Sequence, residues 1–166
     1  MFRFLLGISI FCQCVVASFN TFAITPSFNV VQEIDFGNLI LMTGSCRMVP
    51  SSGILIAFQG TFLCELPGDS QVGKYTIIAN PNRQVQVKML PNLDNGDGYM
   101  FNARVNMVSD SEQKVIFDTA AFVEINSGAS GIINIDVGGD LTVYSILPSG
   151  QTFNFTYDPA IEWNEL

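Results

Sequence analysis

Apolar and polar residues alternate along several short segments of the chain, and this period of two is typical of β-strands. In the segment Gln84–Met89, the residues Val85, Val87 and Met89 fall on one face, while glutamine and lysine fall on the other. Residues 152–157 repeat the pattern with aromatic side chains on one face. Each of these segments is predicted to be a strand with one buried and one solvated face.

Further apolar segments are separated by glycine, proline, asparagine and aspartate, the residues that favour turns. They span residues 54–58, 75–78, 99–108, 115–125 and 131–147. Residues 115–125 are predicted to form one bent strand or two short ones, with a helix as the weaker alternative. Residues 131–147 are predicted to form two strands that meet at a Gly-Gly kink. Roughly eight or nine short strands predict an all-β fold, an antiparallel sandwich or barrel. Phenylalanine is frequent, with fourteen in the sequence and nine of them after residue 23, and its large side chain can fill such an interior.

The N-terminal residues have the features of a secretory signal peptide. A positive start at Arg3 precedes an apolar run over residues 4–16, and small residues follow at the positions that a signal peptidase reads. The run is shorter than the roughly 20 residues of a membrane-spanning helix. We therefore expect residues 1–23 to be removed, and residues 24–166 to form a single exported domain in the periplasm, at the cell surface or outside the cell.

Charge narrows the range of partners. Loss of Arg3 leaves six basic and fifteen acidic residues, a net charge of −9. Scattered basic residues in an acidic chain give no footprint for nucleic acid and no polybasic segment for anionic lipid. After cleavage no apolar run approaches membrane length, so no integral membrane segment is expected.

Two cysteines remain after cleavage, Cys46 and Cys64. The chain has no histidine, a zinc site would need more ligands, and no C-x-x-C redox motif is present. In an oxidising compartment an isolated pair most often forms a disulfide. We predict one disulfide, which links neighbouring strands across a turn at residues 51–53. On the chain-entropy model it would raise the free energy of unfolding by about 3 kcal/mol.

Four motifs occur in order along the chain: IDFGNL at 34–39, GKYTI at 73–77, DVGGDLTV at 136–143 and GQTFNFTY at 150–157. With them, the chain resembles the bacterial secreted family called domain of unknown function 4402, over about residues 34–157. The resemblance implies an immunoglobulin-like sandwich of the pilin and spore-coat-U type, and residues 158–166 would be a short tail. The motif residues are Phe36, Gly37, Val137, Gly138, Gly139 and Leu141.

The resemblance implies an exported structural or surface protein, such as a pilin-like or fimbrial subunit that contacts further copies or other surface subunits. The alternative is a secreted carbohydrate-binding module, suggested by the aromatic content and the acidic, asparagine-rich loops. Enzymatic activity and a cofactor are not expected, because without histidine no Ser-His-Asp or Cys-His arrangement is possible. The acidic residues Asp110, Glu112, Asp118 and Glu124 are interpreted as solvated surface, and Trp163 is expected to pack against one end of the sandwich.

Two glycine-rich segments invite a ligand interpretation. Residues 93–99, LDNGDGY, lack the acid spacing and the later glutamate of a calcium loop, and their Asn-Gly and Asp-Gly pairs favour a hairpin turn. The Gly138-Gly139 pair precedes a β-type segment, whereas a phosphate loop precedes a helix. A strand bend or bulge is therefore the favoured use of the pair, and no metal or phosphate site is predicted.

The new N-terminus alternates as well, with Ile24, Pro26, Phe28 and Val30 on one face of an extended segment. The favoured interpretation is an ordinary first strand at a sheet edge, where a proline is tolerated. The sharper hypothesis is a donor strand that completes the sheet of a neighbouring subunit by β-strand addition.

Overall fold

The computed structural model describes residues 24–38, 43–59, 70–90, 98–116, 121–145, 152–155 and 161–166. Over these ranges the chain forms antiparallel strands joined by turns, and no helix. The strands are β1 (Ser27–Gln32), β2 (Ile34–Asn38), β3 (Gly44–Met48), β4 (Leu55–Gln59), β5 (Gly73–Ile78), β6 (Gln84–Met89), β7 (Tyr99–Val108), β8 (Gln113–Ile116), β9 (Val123–Asn126), β10 (Ile132–Val143), β11 (Thr152–Phe155) and β12 (Ile161–Glu165).

Seven strands form one sheet around the long strand β10. On one side of β10 lies β7, which pairs from Asn134 to Val143 in unbroken register and carries β8 on its far edge. The other side of β10 is shared by β5 and β3, and beyond them lie β1 and β4. The sheet therefore divides in two along one side of its central strand.

A three-stranded sheet, in the order β12-β6-β9, and a two-stranded ladder of β11 and β2 complete the fold. Val85, Val87 and Met89 of β6 are fully buried, as their alternation predicts. They join one hydrophobic core with inward residues of the large sheet. Phe36 of β2 meets Phe101 of β7 edge-to-face at 5.8 Å between ring centroids. The predicted all-β antiparallel sandwich is confirmed.

The strand count is higher than the predicted eight or nine. The prediction of two strands that meet at the Gly-Gly kink is wrong, because β10 continues through both glycines while β7 pairs with it throughout. Residues 115–125, by contrast, supply two short strands, β8 and β9, which belong to different sheets. This outcome is one of the alternatives that the pattern allows.

The segment treated as a tail contributes a strand. β12 pairs with β6 from Ile161 opposite Met89 to Glu165 opposite Val85. Ile161 is buried, and Trp163 packs against the core from the middle of the ladder between β12 and β6. The alternation of apolar Ile161 and Trp163 with polar neighbours gives the segment one face to bury, which explains why it forms a strand.

Candidate functional site: a polar cleft at a fork in the large sheet

The large sheet forks at Gly138. Residues Ile132 to Val137 of β10 pair with β5, and residues Gly139 to Val143 pair with β3. Gly138 lies between the two ladders. β3 and β5 lie on the same side of β10, and one ends where the other begins, next to Gly138. The segments that adjoin these two strand ends lead away from each other, and a cleft opens between them.

Close packing of backbone explains why glycine occupies the fork. A Cβ atom on Gly138 would collide with the carbonyl oxygen of Met48 and would come within 2.9 Å of the nitrogen of Pro50. A Cβ atom on Gly139 would lie 2.6 Å from the ring of Phe101. The ladder to β7 has no register shift here. The glycines therefore allow close approach of neighbouring segments. Of the predicted bend or bulge, the bulge is absent from the ladder to β7.

The cleft between the diverging strands, here called the fork cleft, has a volume of about 320 Å³. One wall is the turn between β3 and β4, and the other is the segment that leads into β5. The lining residues are Gln32, Pro50, Ser51, Ser52, Gly53, Ser70, Gln71, Val72, Lys74 and Asp136.

Backbone hydrogen bonds hold both walls in place. In the first wall, the amide of Gly53 donates to the carbonyl of Val49 at 2.8 Å, and that of Ser52 donates to the same oxygen at 3.2 Å. In the second wall, Gln71 and Asp35 exchange two backbone hydrogen bonds of 2.8 and 2.9 Å. The cleft is therefore largely preformed.

Several polar side chains of the fork cleft have no partner among the residues that the structure describes. Lys74 of β5 and Asp136 of β10 are direct cross-strand neighbours. Opposite charges at such positions are near enough to pair, yet no ion pair joins them within the part of the chain that the structure describes. Nor do Ser51, Ser70 and Gln71 use their side chains in a hydrogen bond there.

A second polar feature lies beyond Gly138 on the outer face of the sheet. Asp140 accepts two hydrogen bonds from Arg47, at 2.6 and 3.0 Å, and it forms an ion pair with Arg104 at 3.1 Å. The hydrogen bonds to Asp140 raise the pKa of Arg47. The three side chains are mostly covered, with 16–26% of their surface exposed. This triad joins β3, β10 and β7 and has a structural role.

The acidic residues interpreted as solvated surface take part in local contacts. Asp110 accepts a hydrogen bond from the amide of Ser130 at 2.9 Å, and Glu124 accepts one from Gln86 at 3.1 Å. Glu112 accepts from the amide of Asn126 and pairs with Lys114, and these contacts lower its pKa.

Asp118 lies outside the described residues. In the ranges that the structure covers, no three cysteine, histidine, aspartate or glutamate side chains cluster closely enough to hold a metal ion. Residues 93–97 fall outside those ranges, so the turn interpretation of LDNGDGY stays a prediction.

The family-motif residues all have positions in the core or at close contacts. Phe36, Val137 and Leu141 are buried. Gly37 has a φ of 68° and its amide donates to the Asp35 carboxylate at 2.7 Å, at the point where the ladder between β2 and β11 shifts register. The motif therefore describes how the chain folds, and it contributes no side chain to the fork cleft.

Cys46 is fully buried on β3, and residues 51–53 lie in the turn to the neighbouring strand β4, as predicted. Cys64 lies outside the described residues. The Cys46–Cys64 disulfide therefore stays a prediction.

The N-terminal segment forms an edge strand, β1, in the protein's own sheet. Of its predicted apolar face, only Phe28 packs against the core, whereas Ile24 and Val30 are 39% and 44% exposed. The adjacent Val31 is 65% exposed. Three apolar side chains thus face solvent along one sheet edge.

Comparison with known proteins gives no relative: no family model, no curated protein and no solved structure matches this chain. The resemblance to the domain of unknown function 4402 family accordingly stays an expectation. Among the residues described, no helix has the length and apolar character needed to cross a membrane.

The sequence did not single out Lys74 or Asp136. Its signal for the fork cleft was indirect, since the two walls contain segments rich in turn-favouring or polar residues, at 51–53 and 70–74. Only the pairing of distant strands brings these segments together.

Proposed function

We propose that the mature chain is an exported structural protein of a cell surface, which acts through contacts with further copies or with other subunits. The observation that carries the proposal is the edge strand β1. It pairs with β5 on one side and exposes Val30 and Val31. An edge strand with apolar side chains is a template for another strand, and monomeric proteins usually protect such an edge with charge or proline.

Support also comes from the position of β1 in the chain. The segment directly follows the predicted cleavage site, so its free end lies at the sheet edge. Pro26 precedes the paired residues, and β1 pairs with β5 from Ser27 to Gln32 with one register shift, at Val31. Association through this edge takes one of two forms: β1 stays in its own sheet and pairs with a neighbouring chain, or it moves into a neighbour's sheet as the donor strand of the sharper hypothesis.

The proposal is tested by the association of purified residues 24–166 in sedimentation velocity. We expect association that increases with concentration, and Val31→Lys should abolish it, because a lysine on a strand edge opposes edge-to-edge pairing. Ile132→Lys is the matched control. Ile132 is also exposed, at 41%, but it lies on the central strand β10. A monomer at all concentrations, together with no high-mass form in surface extracts, would contradict the proposal.

Deletion of residues 24–31 tests whether β1 is required in its own sheet. A truncated chain that stays folded but no longer associates shows that β1 acts between chains, as strand donation to a neighbour requires. A truncated chain that unfolds as a monomer shows that β1 is required in its own sheet, and excludes donation.

A further inference from the structure

We propose that the fork cleft is a binding site for a small neutral saccharide, such as the terminal unit of a glycan. This inference does not depend on the surface-protein proposal: β1 contributes Gln32 to the cleft, but the exposed Val30 and Val31 do not line it. A volume of about 320 Å³ lies at the lower end of the range of pockets that hold small ligands. The cleft therefore suits one or two sugar rings.

Hydrogen-bonding capacity is the first argument. Ser51, Ser70, Gln71, Lys74 and Asp136 converge on one cleft, and none of these side chains has a protein partner within the described chain. Ser51, Gln71 and Lys74 are exposed, and Ser70 and Asp136 are half-buried, so their donors and acceptors are open to a ligand that enters the cleft. A saccharide hydroxyl both donates and accepts, so it can bond to an ammonium, a carboxylate, an amide and a serine hydroxyl alike.

Charge selects a neutral ligand. Lys74 and Asp136 are cross-strand neighbours that both line the cleft, so the cleft presents one positive and one negative group. Asp136 opposes a phosphate or sulfate, and Lys74 opposes a metal cation. Both groups strengthen hydrogen bonds to uncharged hydroxyls, because charge-assisted hydrogen bonds are roughly twice as strong as neutral ones.

The walls supply a small apolar surface and a fixed shape. The Pro50 ring and the Val72 side chain line the cleft and offer contact to the C–H face of a sugar ring. Gln32 donates through Nε2 to the carbonyl of Val72 at 2.8 Å, which holds that wall against β1. A preformed site loses less conformational entropy on binding.

The test is a titration of residues 24–166 with methyl glycosides and short neutral oligosaccharides, followed by amide chemical shifts in heteronuclear NMR. We expect at least one saccharide to shift the signals of residues 51–53, Lys74 and Asp136. Asp136→Asn should weaken that binding about tenfold or more, as expected for loss of a charged hydrogen-bond acceptor. Ser51→Phe, which fills the cleft without changing charge, should abolish it.

Glu162→Gln is the matched control, because it removes the same charge from the three-stranded sheet and should leave affinity unchanged. The spectrum of each variant reports whether it is folded. The proposal is overturned if no saccharide binds, or if binding is the same in Asp136→Asn and Ser51→Phe. It is also overturned if amino acids or inorganic phosphate shift the cleft signals and saccharides do not.

Discussion

The ring of Phe28 on β1 stacks on the ring of Tyr75 on β5, with centroids 5.7 Å apart and planes inclined by 18°. Tyr75 is buried, and its hydroxyl donates to Glu33, just after β1, at 2.9 Å. Because Val30 and Val31 are exposed, this stack is the main side-chain contact shown between β1 and the core. The edge strand is thus anchored at one aromatic residue.

Phe28→Ala should lower the free energy of unfolding by about 2–3 kcal/mol, somewhat less than for a fully buried phenylalanine. Val31→Ala on the same strand should change it by no more than about 0.5 kcal/mol, because that side chain is mostly solvated. Urea unfolding of the two variants measures the difference. Equal effects would show that β1 is not anchored through Phe28.

Steric and conformational needs for glycine can be separated at Gly138 and Gly53. Gly53 has a φ of 70° with room for a Cβ atom, whereas Gly138 lacks that room. Gly53→Ala should lower the free energy of unfolding by about 1 kcal/mol, because alanine is strained in a left-handed backbone conformation. Gly138→Ala should cost at least about 2 kcal/mol, because the β3–β4 turn must move. Thermal and urea unfolding compare them, and a Gly138→Ala variant as stable as the parent would contradict the close approach.

Local patterns predicted the strands better than their arrangement. Alternation in β6 correctly predicted that Val85, Val87 and Met89 belong to the core, because a period of two depends only on residues close together in the sequence. The fork was not predictable, because the pairing of Lys74 with Asp136 depends on which distant strands become neighbours. The same limit explains the Gly-Gly pair, whose role is set by Met48 and Pro50 across the sheet and not by the adjoining sequence.

The predicted disulfide has its own test. Denatured, non-reduced residues 24–166 should contain no free thiol, and replacement of Cys46 and Cys64 by alanine should lower the free energy of unfolding by about 2–5 kcal/mol. Cys46 is fully buried, so alanine avoids a buried hydroxyl at that position. Two reactive thiols in protein isolated from an oxidising compartment would rule out the bridge.

The triad around Asp140 should contribute more than an exposed ion pair. Asp140→Ala removes the carboxylate that pairs with both Arg47 and Arg104. Because the three side chains are partly solvated, we expect the free energy of unfolding to fall by only about 1–2 kcal/mol. Glu162→Ala removes the more exposed pair with Lys88, 3.4 Å apart, and should cost at most about 0.5 kcal/mol. Unfolding at low and high salt measures both, and similar small costs would mean that the triad is not stabilising.

Glu165 links the last strand to the turn after β5, and this contact should make stability depend on pH. Its carboxylate accepts two hydrogen bonds from Asn80, 2.8 Å from the side-chain amide and 2.9 Å from the backbone amide. These bonds, the side-chain one first, lower the pKa of Glu165 in the folded chain. The folded state therefore releases this proton more readily than the unfolded state.

The sign of the effect follows from that difference. Stabilisation by Glu165 is complete above the ordinary glutamate pKa of about 4.3 and is lost as the pH falls through the lower folded value. Glu165→Gln should thus cost about 1 kcal/mol at neutral pH, because the new amide faces the Asn80 backbone donor, and much less in strong acid. Glu124→Gln, at a carboxylate with one exposed hydrogen bond to Gln86, is the control. A cost for Glu165→Gln that does not change between neutral and acidic urea unfolding would show that the Asn80 contact does not depend on the charge.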